Sequence, residues 1–351
     1  MIDYLVVGLG LAGISFCEQL KKNGKSFQVV SDNSQQASIV AGGLYNPIIL
    51  KRFTMAWEAK EQLDLAMPFY QALEKNFKIQ LDYKIPVLRR FASIEEQNDW
   101  FIAADRPGLD FFLNPELVKN NNPEIDAPFG YGEVKYAGRI ATKALIKKYA
   151  AYLKETKQLI EELFNHRLLR VFRDKVIYKG IQAKKIVFAE GFGLKSNPYF
   201  NYLPLTGTKG EYLIIVAPEL KEESAIKANI FCIPEGKDTY RIGASYKWDD
   251  FANTPTKPVK EELINKLEDF ITCKYKIVNH IAGIRPTVID RRPLVGKHPK
   301  YGNLAILNGF GSRGVLIAPY ASEQLYEYIE TNKPLNLEMD ISRFTKKYFQ
   351  V

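Results

Sequence analysis

The start of the chain alternates between unbroken apolar runs and a segment with apolar residues on one helical face. The run YLVVG (4–8) predicts a buried strand, because strands covered on both faces are apolar throughout. A helix is predicted from about Ala12 to Asn23, with Gly24 as its stop signal, and SFQVVSD (26–32) predicts a second strand. The chain therefore opens with a strand–helix–strand unit whose strands run parallel.

The same alternation of predicted helices and buried strands occurs twice more further along the chain. Helices are predicted at 57–78, at about 140–155 and from the second glycine-rich turn to about Ile329, and strands near 168–178, at 184–191 and at 304–310. Two β-rich stretches interrupt this pattern. KIPVLRRF (84–91) begins a run of short elements that continues to about 130, and EYLIIVAP, NIFCIPEG and TYRIGAS, between 211 and 245, predict an antiparallel sheet.

This order predicts two interleaved domains. The fold class is α/β, with a Rossmann-like nucleotide-binding domain interleaved with an α+β substrate domain that is built on an antiparallel sheet. The predicted nucleotide-binding domain comprises 1–80, 135–205 and 283–351, and the predicted substrate domain comprises 81–134 and 206–282.

Composition narrows the class of protein without indicating an activity. The 351 residues are 46% apolar and 25% charged, which is typical of an ordinary globular protein. Three scattered cysteines are too few for a disulfide framework or a zinc site and favour a reducing compartment. Three isolated histidines predict neither a metal centre nor a histidine-based triad, so no metal is expected.

The N-terminus and the net charge bear on location and partners. No basic residue precedes Lys21 and the apolar run 5–16 is too short to span a bilayer, so we expect a cytoplasmic protein without a membrane span. The net charge of +9 allows a polyanionic partner, but the charges are spread along the chain as on a solvated surface. The sequence predicts no particular oligomeric state.

Gly8, Gly10 and Gly13 form a G-x-G-x-x-G motif between the first predicted strand and helix. Gly8 permits a tight turn, Gly10 lets a pyrophosphate approach the backbone, and Gly13 allows close packing of helix on strand. Asp32 stands nineteen residues after Gly13, where an acid binds the ribose hydroxyls. The motif predicts a dinucleotide site without separating NAD from FAD, and the alternative is a glycine turn with no ligand.

Six later segments, in order along nearly the whole chain, resemble the D-amino-acid oxidase family of FAD enzymes. That family includes glycine oxidase, sarcosine oxidase and the FAD half of a bifunctional tRNA-modifying enzyme. The segments are SIVAGGLYNP (38–47), IVFAEGFG (186–193), LPLTGTKGEYL (203–213), YRIGASYKWDDF (240–251), AGIRPTVIDRRPLVG (282–296) and NGFGSRGVLIAPYASEQL (308–325). Two departures from the family pattern are Ser31, at the usual place of the ribose-binding acid, and Glu190, where a small residue is commoner.

The resemblance implies that the cofactor is FAD. No His or Cys matches the positions at which some relatives attach flavin, so we expect it to be non-covalent. The implied cofactor-binding residues are Gly8, Gly10, Leu11, Ala12, Gly13, Asp32, Ser38, Ala41, Gly42, Gly43, Leu44, Leu168, Ala189, Gly191, Gly309, Gly311, Ser312, Arg313 and Gly314.

The second glycine loop, NGFGSRG (308–314), is expected to pass close to the flavin ring, since glycines leave room for it. A helix starting near Gly314 would point its partly positive N-terminus at the end of the ring that gains charge on reduction. Arg313 would either add charge to that end or face an anionic substrate.

The resemblance also implies oxidation of the C–N bond of an amino acid or secondary amine by hydride transfer to flavin N5. Arg285 matches the arginine that grips a substrate carboxylate, and the alternative is a structural ion pair with Asp290. Tyr246 either presents its hydroxyl to the substrate or is an ordinary core or surface tyrosine. Lys209 either lines the flavin site or is solvated.

A tRNA substrate stays open beside the small carboxylated amine. Segments 42–52, 243–251 and 309–323 resemble the tRNA-modifying FAD domain, which removes a carboxymethyl group from a wobble uridine. A stand-alone version of that domain, expected because the chain begins at the first flavin strand, would use a tRNA-binding face. Basic residues for it are Lys51-Arg52, Arg89-Arg90 and RFTKKYF (343–349).

Two further classes of protein also fit the sequence. One is a dehydrogenase that passes electrons to a carrier different from O₂, because the residues that hold FAD do not distinguish it from an oxidase. The second is a nucleotide-binding regulatory module without catalysis, which the Arg285 segment and the second glycine loop disfavour.

Overall fold

The buried apolar runs pair into two large β-sheets in the computed structural model, which describes residues 1–32 and 34–349. The helices are α1 (Leu11–Lys22), α2 (Ala37–Val40), α3 (Ala59–Phe77), α4 (Ile94–Ala104), α5 (Thr142–Glu155), α6 (Lys257–Glu268), α7 (Gly314–Thr331) and α8 (Ser342–Tyr348). Short 3₁₀ turns occupy His166–Leu168 and Gly191–Ser196.

The strands, numbered in chain order, are β1 (Ile2–Val7), β2 (Phe27–Val30), β3 (Leu44–Tyr45), β4 (Ile48–Ile49), β5 (Thr54–Met55), β6 (Asp82–Tyr83), β7 (Val87–Arg90), β8 (Tyr131–Val134), β9 (Gly138–Ile140), β10 (Leu159–Ile160), β11 (Leu169–Val171), β12 (Val176–Tyr178), β13 (Ile181–Phe188), β14 (Thr208–Val216), β15 (Ala225–Lys227), β16 (Phe231–Gly236), β17 (Thr239–Gly243), β18 (Lys276–Arg285), β19 (Leu294–Lys297) and β20 (Leu304–Asn308).

The eight-stranded sheet brings both glycine loops to one edge. Strand β1 pairs in parallel with β2 on one side and with β13 on the other, and the second half of β13 pairs in parallel with β20. The loops after β1 and β20 therefore leave the sheet at the same carboxyl edge, on either side of the residues that follow β13. In open α/β sheets this edge is where ligands bind.

The seven-stranded sheet has the order β18-β14-β17-β16-β15-β7-β8 and is antiparallel except between β15 and β7. Its strands come from 87–134 and 208–285, whereas the predicted substrate domain comprises 81–134 and 206–282. Strand β6 departs from that division, because it pairs with β9 in a three-stranded sheet with β3. Helix α6 packs against one face of the large sheet, where Leu263 and Leu267 join its apolar cluster.

The helices and strands differ from the prediction mainly within the predicted substrate domain. Helices α4 and α6 and the long strand β18 were not predicted. Helix α4 carries a recognisable start signal, since Ser93 Oγ accepts a hydrogen bond from the Glu96 N–H. Strand β18 lacks an alternating pattern, because much of its first half is exposed. Within the described residues, no helix combines the length and apolar character needed to cross a bilayer.

Candidate functional site

A cavity of about 1160 Å³ is lined by residues of both large sheets. One wall is the carboxyl edge of the eight-stranded sheet, with both glycine loops and segment 37–51. The other wall includes Gly210, Tyr212 and Arg285 of the seven-stranded sheet, and α6 contributes Glu262 and Lys266 to the lining. The first glycine loop and all six of the resembling segments contribute residues to this one space.

Two glycines of the first glycine loop, Gly8 and Gly13, have no room for a side chain. Gly8 has φ +101°, and a Cβ there would lie 2.4 Å from the Ala189 carbonyl oxygen. A Cβ on Gly13 would lie 2.0 Å from the Gly8 carbonyl oxygen, below the cavity surface. Gly10 begins α1 without a side-chain cap, and the Leu11 N–H donates to Ser38 Oγ at 3.3 Å. The helix start, with Gly8, Gly10, Leu11 and Ala12 lining the cavity, suits an anionic group.

Asp32 lines the same end of the cavity at the exposed end of the second strand. Its carboxylate accepts a hydrogen bond from the Ser34 N–H at 3.0 Å and remains open to the cavity. Ser31, at the family's usual acid position, lines the cavity too. A carboxylate is therefore available for ribose hydroxyls despite the one-residue departure.

Segment 38–47 forms the floor between the two ends of the cavity. Ser38 and the run from Ala41 through Leu44 line it. Gly43 has φ +70°, and a Cβ there would lie 1.9 Å from the Ile140 carbonyl oxygen, so only glycine fits. The Asn46 carbonyl accepts a hydrogen bond from the Arg313 guanidinium, which ties this segment to the second glycine loop.

The second glycine loop uses its glycines in different ways. Gly309 lies outside the cavity lining, and a Cβ there would lie 2.6 Å from Val288 Cγ2, so its constraint comes from packing behind the loop. Gly311 has φ +55° and open space around it, and it lines the cavity with Ser312 and Gly314. Helix α7 starts at Gly314 without a side-chain cap, so a second helix N-terminus meets the cavity.

Arg313 places a cation at this end of the cavity. Its side chain is half-buried, and its Nε atom has no hydrogen-bond partner among the described residues. Burial lowers the pKa of Arg313 to about 10, because water no longer solvates the charge fully, although nearby Tyr246 opposes the shift. The Nε atom itself is buried, and a buried donor without a protein partner is satisfied where a ligand supplies an acceptor group.

Arg285 lies across Gly210 on the opposite wall. Its Nη1 donates to the Ser245 carbonyl at 3.3 Å, and its guanidinium lies 4.5 Å from the Tyr246 ring centroid. The alternative ion pair with Asp290 is wrong, because that carboxylate pairs with Arg343 at 2.9 Å. No acidic side chain in the described ranges pairs with Arg285. Tyr246 is 59% exposed and lines the cavity, so it is not a core tyrosine.

Sequence reasoning missed the group around His166. Its Nε2 lies 2.8 Å from Glu190 Oε1, and Asn197 donates to the other Glu190 oxygen at 2.7 Å. His166 and Glu190 both line the cavity, as does Arg167, whereas the predicted Leu168 is 44% exposed and does not. The available signals were the departure at Glu190 and His166, a histidine 24 positions earlier with no assigned role. Ala189 and Gly191, on either side of Glu190, line the cavity as expected.

The charges lining the cavity are divided between its two ends. Asp32, Glu162 and Glu190 line the end near the first glycine loop, together with Arg167. The end near the second loop and the seven-stranded sheet is lined by the cations Lys51, Lys227, Lys266, Arg285 and Arg313 and by the acid Glu262. The second end therefore favours an anionic ligand.

Lys209 neither lines the cavity nor is solvated, which were the two interpretations of this residue from the sequence. Its side chain is fully buried and lies neither on the cavity wall nor in solvent. Its Nζ pairs with Asp250 at 2.5 Å and lies 3.4 Å from Glu211. Elsewhere in residues 1–32 and 34–349, no three His, Cys, Asp or Glu side chains converge as a potential metal site.

Comparisons with known proteins agree with this geometry. A family model described as "FAD dependent oxidoreductase" (DAO) matches residues 3–328. Glycine oxidase of Bacillus subtilis (strain 168) is 26% identical over 226 residues, which is 60% of this chain and 60% of that protein. The tRNA 5-methylaminomethyl-2-thiouridine biosynthesis bifunctional protein MnmC of Campylobacter concisus (strain 13826) is 24% identical over 316 residues. That match covers 83% of this chain and 46% of the relative, so the chain spans 46–60% of the length of these two curated relatives.

Solved structures share the fold over nearly the whole chain. Glycine oxidase from Geobacillus kaustophilus superposes with a TM-score of 0.79 at 18% identity, covering 98% of this chain and 97% of that one. L-proline dehydrogenase from P. horikoshii also has a TM-score of 0.79, at 15% identity and 99% coverage of both chains. The predicted fold class is confirmed.

Proposed function

This chain belongs to the DAO family of FAD-dependent oxidoreductases, and from that premise we propose that it oxidises the C–N bond of a carboxylated amino acid or secondary amine. One observation carries the choice of substrate class. Arg285 faces the cavity across Gly210 without an acidic partner among the described residues, and its planar donor pair suits a carboxylate.

The residues present fit FAD, which is the cofactor of the family. The first glycine loop and the start of α1 would hold the pyrophosphate, and Asp32 would bind the ribose hydroxyls. Gly311 and the start of α7 would lie at the flavin end of the cavity, where Arg313 offers an unused donor. Once bound without a covalent link, FAD supplies the oxidant that accepts a hydride from the carbon next to nitrogen.

The protein's own residues bind and orient the substrate. Arg285 would hold the carboxylate through two parallel hydrogen bonds, which fixes direction as well as distance. The Tyr246 ring beside the guanidinium limits how far Arg285 can move, and its hydroxyl can reach a substrate in the cavity. The reaction needs a neutral amine held in place and does not need a nucleophile from the protein.

An anaerobic flavin-reduction screen tests the proposal. Purified protein loaded with FAD would be mixed with glycine, sarcosine, iminodiacetate, proline and D-amino acids, and with matched amines lacking the carboxylate. We expect bleaching of the flavin by at least one carboxylated amine. Reduction only by uncarboxylated amines would contradict the proposal, and hydrogen peroxide release in air then separates an oxidase from a dehydrogenase.

A second candidate is removal of a carboxymethyl group from a modified tRNA nucleoside. It is favoured by the cationic end of the cavity together with Tyr246 and Trp248, which are 59% and 52% exposed and separated by one residue. Exposed aromatic rings beside cations suit an unstacked base and its phosphates. MnmC of Campylobacter concisus carries tRNA in its name, and the match to it covers 83% of this chain.

The basic stretches predicted from sequence support this candidate less than the cavity does. Arg89 pairs with Glu96 at 2.6 Å, Arg90 with Asp126 at 2.9 Å and Arg343 with Asp290 at 2.9 Å. These arginines are therefore mostly neutralised, whereas Lys51 and Arg52 remain exposed beside the cavity.

Nucleoside mass spectrometry tests the tRNA candidate. The FAD-loaded protein would be incubated with tRNA that carries carboxymethylaminomethyl-uridine, and with the free nucleoside. Loss of the carboxymethyl group from tRNA but not from the nucleoside supports the candidate. Equal turnover of both, or turnover of small amino acids alone, would contradict it.

A further inference from the structure

Strand β14 carries two buried charges on the side opposite the cavity. Lys209 and Glu211 are both fully buried, and between them Gly210 faces the cavity beneath Arg285. This alternation follows from strand geometry, since successive side chains point to opposite faces. The two charges therefore lie directly behind the wall that carries the proposed carboxylate anchor.

Lys209 holds residues 245–256, which we call the strap. Its Nζ donates to Asp250 Oδ2 at 2.5 Å and to the Thr254 carbonyl at 2.6 Å. Its backbone also exchanges hydrogen bonds with Lys247, at 2.8 and 3.0 Å. The lysine thus contacts the beginning, middle and end of the strap.

Glu211 fixes the two ends of the strap. Its carboxylate accepts hydrogen bonds from the Thr256 N–H at 2.8 Å and the Thr256 hydroxyl at 3.1 Å. Its N–H donates to Ser245 Oγ at 3.0 Å. His280 Nε2 lies 2.9 Å from the same carboxylate, so Lys209 on β14 and His280 on β18 flank it.

The strap reaches from the substrate wall to the cofactor wall. It begins at Ser245, whose carbonyl accepts from Arg285, and continues into Tyr246, whose ring lies 4.5 Å from the same guanidinium. Further on, Phe251 stacks on Phe192 with ring centroids 5.1 Å apart. Phe192 belongs to the 3₁₀ turn after β13 and lines the cavity.

A fully buried lysine and glutamate are costly to desolvate, and an apolar pair of similar size would pack there without that cost. Here the charges make directed bonds to a segment whose aromatic side chains are about half exposed, at 59% for Tyr246, 52% for Trp248 and 46% for Phe251. Directed bonds specify one arrangement of the strap, which apolar packing on so exposed a segment would not do.

We propose that Lys209 is a positioning residue: with Glu211 and Asp250 it fixes the strap, and thereby sets the position of Tyr246 beside Arg285 at the substrate end of the cavity. The proposal rests on the proposed function only for the role of Arg285 as the carboxylate anchor. The anchoring of the strap itself is independent of any substrate.

Hydrogen–deuterium exchange on the FAD-loaded protein tests the anchoring. Lys209→Met is expected to speed exchange of residues 246–256 by about tenfold or more, because the strap loses its central bonds. Asp250→Asn, at a carboxylate that is 38% exposed, is a variant expected to fold even if Lys209→Met does not, with a smaller increase. Lys209→Arg should restore part of the protection, since it keeps a charge that can donate to Asp250.

The matched control is Lys257→Gln, which breaks the exposed pair between Lys257 and Glu261 just beyond the strap. It should leave exchange of the strap unchanged. Unchanged exchange in a folded Lys209→Met or Asp250→Asn protein would overturn the proposal.

Binding of acetate, followed by the flavin absorbance, tests the consequence for the site. Lys209→Met and Asp250→Asn should lower the affinity for acetate by about tenfold, while the affinity for FAD stays unchanged. Acetate affinity that stays at the native value despite a mobile strap would overturn the link to Arg285. If acetate fails to bind the native protein, the carboxylate anchor of the proposed function is wrong, whereas the exchange result still decides the anchoring.

Discussion

The Arg285 guanidinium occupies the space above Gly210. A Cβ on Gly210 would lie 2.1 Å from Arg285 Nη2 and 2.4 Å from its Cζ. The two residues face each other on the paired strands β14 and β18, where Gly210 pairs with Gly283 and Thr208 pairs with Arg285. The glycine thus determines where the proposed anchor can lie.

Gly210→Ala should displace Arg285 with little loss of stability, because the clash is with the end of a long side chain. We expect the KM for a carboxylated amine to rise about tenfold or more, with a free energy of unfolding within about 1 kcal/mol of the native value. Steady-state kinetics and urea unfolding measure the two effects. Gly302→Ala, where no atom lies within 4 Å of the added Cβ, is the control and should change neither. An unchanged KM in Gly210→Ala would contradict the assignment of Arg285.

Arg285→Ala should change KM, whereas Asp290→Asn should change only stability. The first should raise the KM for carboxylated amines by about a hundredfold, since a bidentate charged contact is lost, with little change for uncarboxylated amines. The second removes a partner of Arg343 at 2.9 Å and should cost at most about 1 kcal/mol of stability without altering KM. If Asp290→Asn raises KM as much as Arg285→Ala does, the carboxylate lies elsewhere.

Gly8→Ala and Gly311→Ala separate packing from ligand contact. Gly8→Ala meets the Ala189 backbone at 2.4 Å with φ +101°, so it should destabilise the FAD-free protein by about 2 to 4 kcal/mol. An added Cβ at Gly311 has no atom within 4 Å, so Gly311→Ala should lower the free energy of unfolding only by the cost of a left-handed backbone at alanine, about 1 to 2 kcal/mol. If the flavin lies against Gly311, that variant should nevertheless lose most of its FAD affinity, which titration of the FAD-free protein would show.

Arg313→Met should stabilise the FAD-free protein and impair the loaded one. The arginine is half-buried with an unpaired Nε and a pKa lowered to about 10, so its charge is incompletely compensated before a ligand binds. We expect the melting temperature without FAD to rise by about 1 to 3 °C and the affinity for FAD or for acetate to fall. A lower melting temperature together with unchanged binding would show that Arg313 acts as a structural tie to Asn46.

Lys227 should make stability depend on pH in the alkaline range. Burial, and then repulsion by Arg89 and Lys266, lowers the pKa of Lys227 to about 8. Between pH 8 and about 10 the unfolded chain holds this proton and the folded chain does not, so the free energy of unfolding rises with pH over this range. Below pH 8 the buried charge of Lys227 therefore destabilises the folded protein, and this destabilisation is relieved as the pH rises. Lys227→Met should therefore gain stability over the native protein at pH 7, and lose about 1 kcal/mol of that advantage by about pH 9.5. Urea unfolding at the two pH values measures the difference, and a constant gap would show that the lysine is well solvated.

Local sequence signals account for much of the predicted nucleotide-binding domain. The strand–helix–strand opening, the first glycine loop and the helix from Gly314 follow from periodicity and glycine placement, which depend on neighbouring residues only. The predicted substrate domain was harder to predict from the sequence, since strand β18 is exposed over much of its first half and shows no alternation of buried and exposed residues there. Lys209 shows the same limit, because its burial depends on Asp250 and Thr254, more than forty positions away.

The sequence by itself determined the family, the cofactor class and the two glycine loops, because these depend on residue types at fixed spacing. Only the tertiary structure decided that both loops leave the same sheet edge, since that requires the strand order β1-β13-β20. It also decided that Asp290 belongs to Arg343 and that Gly210 faces Arg285. These relationships join positions far apart in the chain, so strand pairing and packing, rather than local pattern, establish them.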